Sequence, residues 1–153
     1  MHEQELQKLR NYCAYQERAH SEVRSKCFEL GLKGEAIDQL ITALIEENFL
    51  NEERFACAFA GGRFRMKQWG RKKIVQELKM KQVSPYCIKK ALKEIDEDDY
   101  MATLNKLAEK KYESLKGEQY LKRQYKTMQF LLQRGFEQEL IGEVIKQIAK
   151  SSP

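Results

Sequence analysis

Apolar residues recur along this chain at intervals of three and four almost throughout, and no stretch shows the strict alternation of a half-buried strand. The spacing predicts nine helices, over 4–16, 20–31, 35–48, 52–67, 71–82, 85–95, 97–115, 119–134 and 137–149. The breaks between them fall at Gly31 and Gly34, Asn51, Gly70, Ser84-Pro85, the acidic run near Asp98, Gly117 and Gly135. The sharpest is Val83-Ser84-Pro85. Ser84 can accept a hydrogen bond from a first-turn amide, Pro85 suits the first helical position where its missing N–H costs nothing, and Val83 can pack onto Ile88. With only 2 prolines in 153 residues, the predicted fold class is all-α.

The chain also repeats itself. Cys27, Leu32, Ile37, Leu40, Ile41 and Leu44 match Leu78, Val83, Ile88, Ala91, Leu92 and Ile95 at an offset of 51, and a further offset of 53 reaches Leu131, Phe136, Ile141, Val144, Ile145 and Ile148. One ungapped register holds across the turn between the two helices of each unit, so helix, turn and helix share a geometry. The leading helix is variable: Phe55 precedes Ile74 by 19 residues, Tyr100 precedes Thr127 by 27. The prediction is three tandem three-helix repeats, 1–50, 51–96 and 97–153, stacked into an elongated, curved array with long exposed faces.

Composition narrows the function. At 42% apolar and 33% charged residues, the chain is too apolar to be disordered and too polar to span a membrane. Met1 to Arg10 is polar and of mixed charge, unlike a secretory leader, so a cytosolic (cytoplasmic) monomer without membrane association is expected. The cysteines at 13, 27, 57 and 87 include no close pair, and His2 and His20 are isolated, so reduced thiols and no metal are expected. Cys27 and Cys57 lie among apolar residues at helical spacing, where a thiol behaves as a small hydrophobe.

The net charge of +5 conceals its distribution. Residues 1–60 carry 7 basic and 11 acidic groups, whereas 61–93 carry 11 basic groups against Glu77 alone. The stretch 94–103 then holds five acids and no base, and 104–153 returns to 10 basic against 6 acidic. Solvated helix faces usually mix signs, so the central segment reads as a surface for phosphate or for an acidic protein.

Catalytic signatures are missing. There is no phosphate-cradling glycine loop, no His-Glu-x-x-His and no Gly-x-Ser-x-Gly, and no cofactor is implied. Asp98 and Asp99 belong to a run better suited to the positive end of a helix than to acid-base chemistry. Gly61-Gly62, inside a helical pattern, reads as a kink or a tight packing point. The expectation is a binding protein, not an enzyme.

Within the basic segment, Phe55, Phe59, Gly62 and Met66 form a stripe expected to face the core, with Arg63, Arg65 and Lys67 at the end of that helix. The next helix should bury Ile74 and Leu78 and expose Lys72, Lys73, Gln76 and Lys79. The third should bury Ile88, Ala91, Leu92 and Ile95 and expose Lys89, Lys90 and Lys93. The predicted partner- or DNA-binding residues are Arg63, Arg65, Lys67, Arg71, Lys72, Lys73, Lys79, Lys89 and Lys90, the first six close enough in the chain to cluster at one helix junction. Phe64 and Trp69 lie among these cations, where aromatics can stack on bases, although Trp69 beside Gly70 reads rather as a packing anchor.

The run LNEERFA (Leu50 to Ala56), then Arg63, Trp69-Gly70, Ile74, Glu77-Leu78 and Lys81, resembles the middle of the RecX family, bacterial modulators of the RecA recombinase. FLLQRGF (Phe130 to Phe136), with Ile141 and Ile145, resembles that family's closing repeat, and HSEVRSKCFELGL (His20 to Leu32) its opening one. Gln82 departs from the pattern at a turn position usually given to Gly, as does Asn51 where Asp is common; Asn caps a helix equally well. The resemblance implies three three-helix units and binding along the groove of the RecA filament on single-stranded DNA, with restraint of ATP hydrolysis, filament growth and strand exchange and no catalytic residues. The competing reading is an independent nucleic-acid-binding protein acting without RecA; a third is an adaptor for acidic proteins.

Overall fold

The computed structural model describes residues 2–151, and among them there are nine helices and no strand. They are α1 (Glu3–Tyr15), α2 (His20–Glu29), α3 (Glu35–Glu46), α4 (Glu52–Lys67), α5 (Arg71–Met80), α6 (Pro85–Leu92), α7 (Glu97–Ser114), α8 (Tyr120–Gln133) and α9 (Gln138–Ser151). Every predicted helix is present. The largest boundary correction is at α6, which stops at Leu92 while the buried Ile95 anchors the turn that follows.

Three helix starts, those of α4, α6 and α7, are written in their caps. Asn51 Oδ1 accepts from the Arg54 amide at 2.9 Å, Ser84 Oγ from the Cys87 amide at 3.3 Å and Asp96 Oδ2 from the Asp99 amide at 3.0 Å. Pro85 is the first residue of α6. The acidic run supplies Glu97, Asp98 and Asp99 to the first turn of α7, where the helix dipole favours them.

The three repeats turn in the same way. The Leu32, Val83 and Phe136 amides donate to the carbonyls of Cys27, Leu78 and Leu131 at 3.0, 3.1 and 3.2 Å, always between the first two positions of the repeat register. The residue before each of these amides lies in the left-handed region: Gly31 at φ +83°, Gln82 at +62° and Gly135 at +95°. This is a Schellman-type C-cap, and two of its three instances use glycine as the geometry prefers. Of the eighteen register positions only Leu92 and Ile148 are half-buried; the rest are buried. The register extends one further turn toward the N-terminus, to Val23, Ile74 and Thr127, all fully buried. Thr127 fits there because its hydroxyl donates to the Arg123 carbonyl at 2.9 Å.

The chain divides into two compact units, the first comprising residues up to Ala60 with Glu77–Leu92, the second Gly61–Gln76 with the residues from Lys93 onward. The division falls within α4 and within α5. In the first unit, Leu9, Cys13, Val23, Cys27, Leu32, Ile37, Leu40, Ile41, Leu44 and Leu50 form a core flanked by Tyr12 and Phe49. Ser21 Oγ ties α2 to the turn after α5 by donating to the Lys81 carbonyl at 2.6 Å, and Lys81 Nζ pairs with Glu22 at 3.0 Å. In the second unit, Tyr100 is fully buried with its ring between Phe64 and Phe136, at centroid distances of 5.8 and 5.2 Å. Leu104, Leu107, Leu131, Ile141 and Val144 are also buried there.

The apolar stripe expected on α4 needs correction. Phe55 and Phe59 are buried, but Met66 is 85% exposed and Gly62 only half-buried, while Ala56, Ala60 and Phe64 are buried. The buried row therefore runs through Ala60 to Phe64, four residues on, because Tyr100 offers Phe64 an aromatic partner and Met66 has none. This placement also removes Phe64 as a platform for bases.

Candidate functional site

Helix α4 ends at Lys67, and the next residue, Gln68, is held at φ +56° with its amide donating to the Phe64 carbonyl at 2.9 Å; Trp69 and Gly70 then lead into α5. The start of α5 is docked on the turn between α8 and α9. The Gly70 amide donates to the Arg134 carbonyl at 2.7 Å and the Lys72 amide to the Gly135 carbonyl at 2.9 Å. A Cβ on Gly70 would lie 2.3 Å from the Gly135 carbonyl carbon, and one on Gly135 would lie 2.3 Å from Lys73 Cβ. Only hydrogen fits at either point, so the two glycines set how closely this turn approaches α5.

This close approach gathers cations around one indole. The Arg63 guanidinium and the Lys73 ammonium lie 5.5 and 4.6 Å from the centre of the Trp69 ring. Arg134 reaches from the α8–α9 turn to donate to the Lys67 carbonyl at 2.8 Å, satisfying a C-terminal carbonyl of α4, and lies 5.2 Å from the Phe130 ring. Lys67 and Lys72 are exposed. Arg65 is exposed as well, with its guanidinium folded back over Gly61; an added Cβ there would lie 2.8 Å from the end of that flexible side chain, which can move aside, and Gly62 has open space, so the tight packing expected at Gly61-Gly62 is found at neither.

Arg71 is placed differently from its neighbours. Its side chain is 21% exposed, pairs with Glu137 at 2.8 Å and with Glu97, and lies 3.8 Å from the centre of the Tyr100 ring. Tyr100 completes the network: its oxygen accepts from the Arg71 amide at 2.9 Å and its hydroxyl donates to Glu137. Burial alone would lower the Arg71 pKa, but the hydrogen bond and attraction of Glu137, with Tyr100 and Glu97 adding, hold it above its ordinary value. For Tyr100, burial first and the Glu137 hydrogen bond second push the phenol up.

Of the nine residues expected to bind, Arg63, Arg65, Lys67, Arg71, Lys72 and Lys73 lie in the second unit, and Lys79, Lys89 and Lys90, all exposed, in the first. The structure brings Arg63 and Lys73 together on Trp69, commits Arg71 to two carboxylates, and adds Arg134, which is not among the nine. The signal for Arg134 was its place in the repeat: it aligns with Lys81, which also occupies the turn and pairs with Glu22. The amides of Arg71 and Lys72 already donate within the protein, so the start of α5 offers no anion pocket.

Among the described residues there is no cluster of His, Cys, Asp or Glu fit to hold a metal and no helix long and apolar enough to cross a membrane. Cys13, Cys27 and Cys87 are buried and Cys57 is half-buried. Burial pushes the Cys13 thiol up to about 11, which makes it a poor nucleophile near neutrality.

These features match known proteins. The second three-helix domain of RecX matches residues 51–92 and the third matches residues 97–145. Regulatory protein RecX of Pelodictyon phaeoclathratiforme is 34% identical over 131 residues, covering 84% of this chain and 80% of that relative. The chain belongs to the RecX family. Regulatory protein RecX of Clostridium perfringens (strain 13 / Type A) is 32% identical over 136 residues, covering 88% of this chain, which spans 63% of that relative's length. The crystal structure of RecX from Lactobacillus salivarius superposes with a TM-score of 0.85 at 25% identity, covering 94% of this chain and 93% of that one. The all-α fold built of three-helix units is therefore the RecX fold, and the relatives carrying it are named for regulation, not for a reaction.

Proposed function

We propose that this chain regulates a RecA recombinase by binding the RecA filament on single-stranded DNA and restraining its ATP hydrolysis, growth and strand exchange. The observation that carries the reading is the cation cluster of the second unit, with Arg63 and Lys73 on the Trp69 ring and Arg134 on the Lys67 carbonyl, in a chain with RecX-family kinship. A regulator of a moving polymer needs only to hold neighbouring subunits, and fixed cations supply on-rate and affinity toward phosphate or carboxylate without bond-making. Arg63, Arg65, Lys67, Lys72, Lys73 and Arg134 meet exposed DNA phosphate, while Lys79, Lys89 and Lys90 make a second contact on the filament's protein surface. Arg71 positions the cluster: its network with Tyr100, Glu97 and Glu137 fixes the start of α5. The protein acts as a cytosolic monomer through three three-helix units, 1–50, 51–96 and 97–153.

The deciding experiment is the RecA ATPase on single-stranded DNA with added protein, beside a titration of the protein against DNA alone and against pre-formed filament. Inhibition, with far tighter association to filament than to DNA, is expected. Charge reversal at Lys67 and Lys72, which are exposed and outside the Arg71 network, should weaken the filament complex about tenfold or more. Equal affinity for bare DNA and filament, with no change in ATPase, would instead favour a nucleic-acid-binding protein independent of RecA.

A further inference from the structure

We propose that the groove between α8 and α9 is a docking site for an acidic amphipathic helix of a partner protein. It involves none of the cations around Trp69. The groove has a volume of about 500 Å³ and is lined by Tyr120 and Met128 on α8 and by Gly142, Lys146, Ala149 and Lys150 on α9. Tyr120 and Met128 stand eight residues apart, roughly 12 Å along the helix, which matches about two turns of a guest helix. Tyr120 is 57% exposed, Leu121 66% and Tyr125 61%, a concentration of large exposed apolar side chains at the start of one helix.

Two local costs in α9 point to a partner and to its charge. Gly142 lies inside the helix, where glycine is less favourable than alanine, yet an added Cβ would meet nothing within 4 Å and its φ is not positive. Neither the backbone nor the internal packing asks for glycine there; it opens the floor of the groove. Lys146 and Lys150 are exposed, one helical turn apart, and form no ion pair among the described residues. Like charges at that spacing disfavour the helix slightly. The lining includes these two lysines and no carboxylate. Carboxylates on the rim of an incoming apolar helix offset both lysines, while its leucine- or phenylalanine-type residues fill the space above Gly142.

The test uses a fluorescein-labelled synthetic peptide of about fourteen residues, leucines at helical spacing and glutamates elsewhere, with a lysine-for-glutamate counterpart. Anisotropy should show binding of the glutamate peptide and none of the lysine one. Lys146→Glu with Lys150→Glu should weaken it about tenfold or more, as should Gly142→Leu, while single-stranded DNA affinity is unchanged. Gly142→Leu should also raise the melting temperature, so its loss of binding is not a loss of fold. Equal binding of both peptides, no binding of either, or indifference to the three substitutions overturns the proposal. A dimer in sedimentation that Gly142→Leu dissociates also overturns it, in favour of a second copy of this chain as the occupant.

Discussion

The three equivalent turns provide an internal scale for backbone strain. Gly31, Gln82 and Gly135 occupy the same position of the repeat, all at positive φ. Around Gly31 an added Cβ meets nothing within 4 Å, so Gly31→Ala tests the conformation alone. Left-handed backbone costs an L side chain about 1–2 kcal/mol, and glycine's freer unfolded state returns about 0.5–1 of that. Gly31→Ala should therefore destabilise by roughly 1 kcal/mol, and Gln82→Gly should stabilise by about 0.5–1 kcal/mol. Both positions belong to the first unit, so urea unfolding followed by far-UV circular dichroism reads them against one transition. The corresponding melting shifts are roughly 2–4 °C per kcal/mol for a chain of this size. Gly135→Ala adds to the same strain an overlap with Lys73 Cβ at 2.3 Å and should cost about 3 kcal/mol or more. The order of midpoints is then Gln82→Gly, wild type, Gly31→Ala, Gly135→Ala. A lowered midpoint for Gln82→Gly would refute the reasoning, since it would mean that this exposed glutamine contributes more through its side chain than its backbone costs.

Tyr100→Phe leaves the Arg71 amide without its acceptor and should cost about 1–3 kcal/mol in urea unfolding. Because the Tyr100 pKa is raised in the fold, its contribution is fully present below its ordinary value of 10.0 and is lost as pH rises beyond it; Tyr100→Phe should remove that part of the alkaline decline. Cys13 behaves likewise at lower pH: raised from 9.0 to about 11, it should erode stability across that interval, and Cys13→Ala should flatten the urea midpoint there. Trp69→Ala removes the ring shared by Arg63 and Lys73 and should weaken filament binding several-fold with the helical circular dichroism unchanged; undiminished binding at low salt would show that the indole does not organise the site.

Helices and caps were legible because each rests on a few neighbouring residues: Asn51, Ser84-Pro85 and Asp96 state their roles within four positions. The repeat register was legible because it is ungapped. Met66 was misread because apolar spacing on α4 offers two rows, through Gly62 or through Ala60, and only the aromatic partner of Phe64 chooses between them. The Arg71 network was out of reach, since Glu97 and Glu137 stand 26 and 66 residues away and no local pattern joins them. Arg134 was within reach through its alignment with Lys81 in the repeat, but the approach of its turn to α5 at Gly70 and Lys72 joins residues more than sixty positions apart.

That network changes what the basic segment can do, because charge counted along a chain differs from charge available in space. Of the 11 basic residues in 61–93, Arg71 is offset by two carboxylates from distant elements and Lys81 by Glu22. If DNA contact is confined to the cluster at the α4–α5 junction, Arg63, Arg65, Lys67, Lys72 and Lys73 with Arg134 added from its turn, six phosphate contacts are the most that cluster makes, with the exposed Lys93 of the second unit not counted in it. Each such contact contributes a slope of about −0.7 to log K against log salt, so the six together allow no steeper than about −4. Engagement of all 11 would give about −8. Anisotropy of a labelled oligonucleotide across a salt series separates the two. A slope near the steeper value would mean that Arg71 leaves Glu137 on binding or that Lys79, Lys89 and Lys90 reach the same strand, and the division of labour assigned to the two groups of cations would fall. A slope near −4 that Lys89→Gln and Lys90→Gln leave unchanged, while filament affinity drops, would keep DNA contact with the Trp69 cluster and place protein contact with the other lysines.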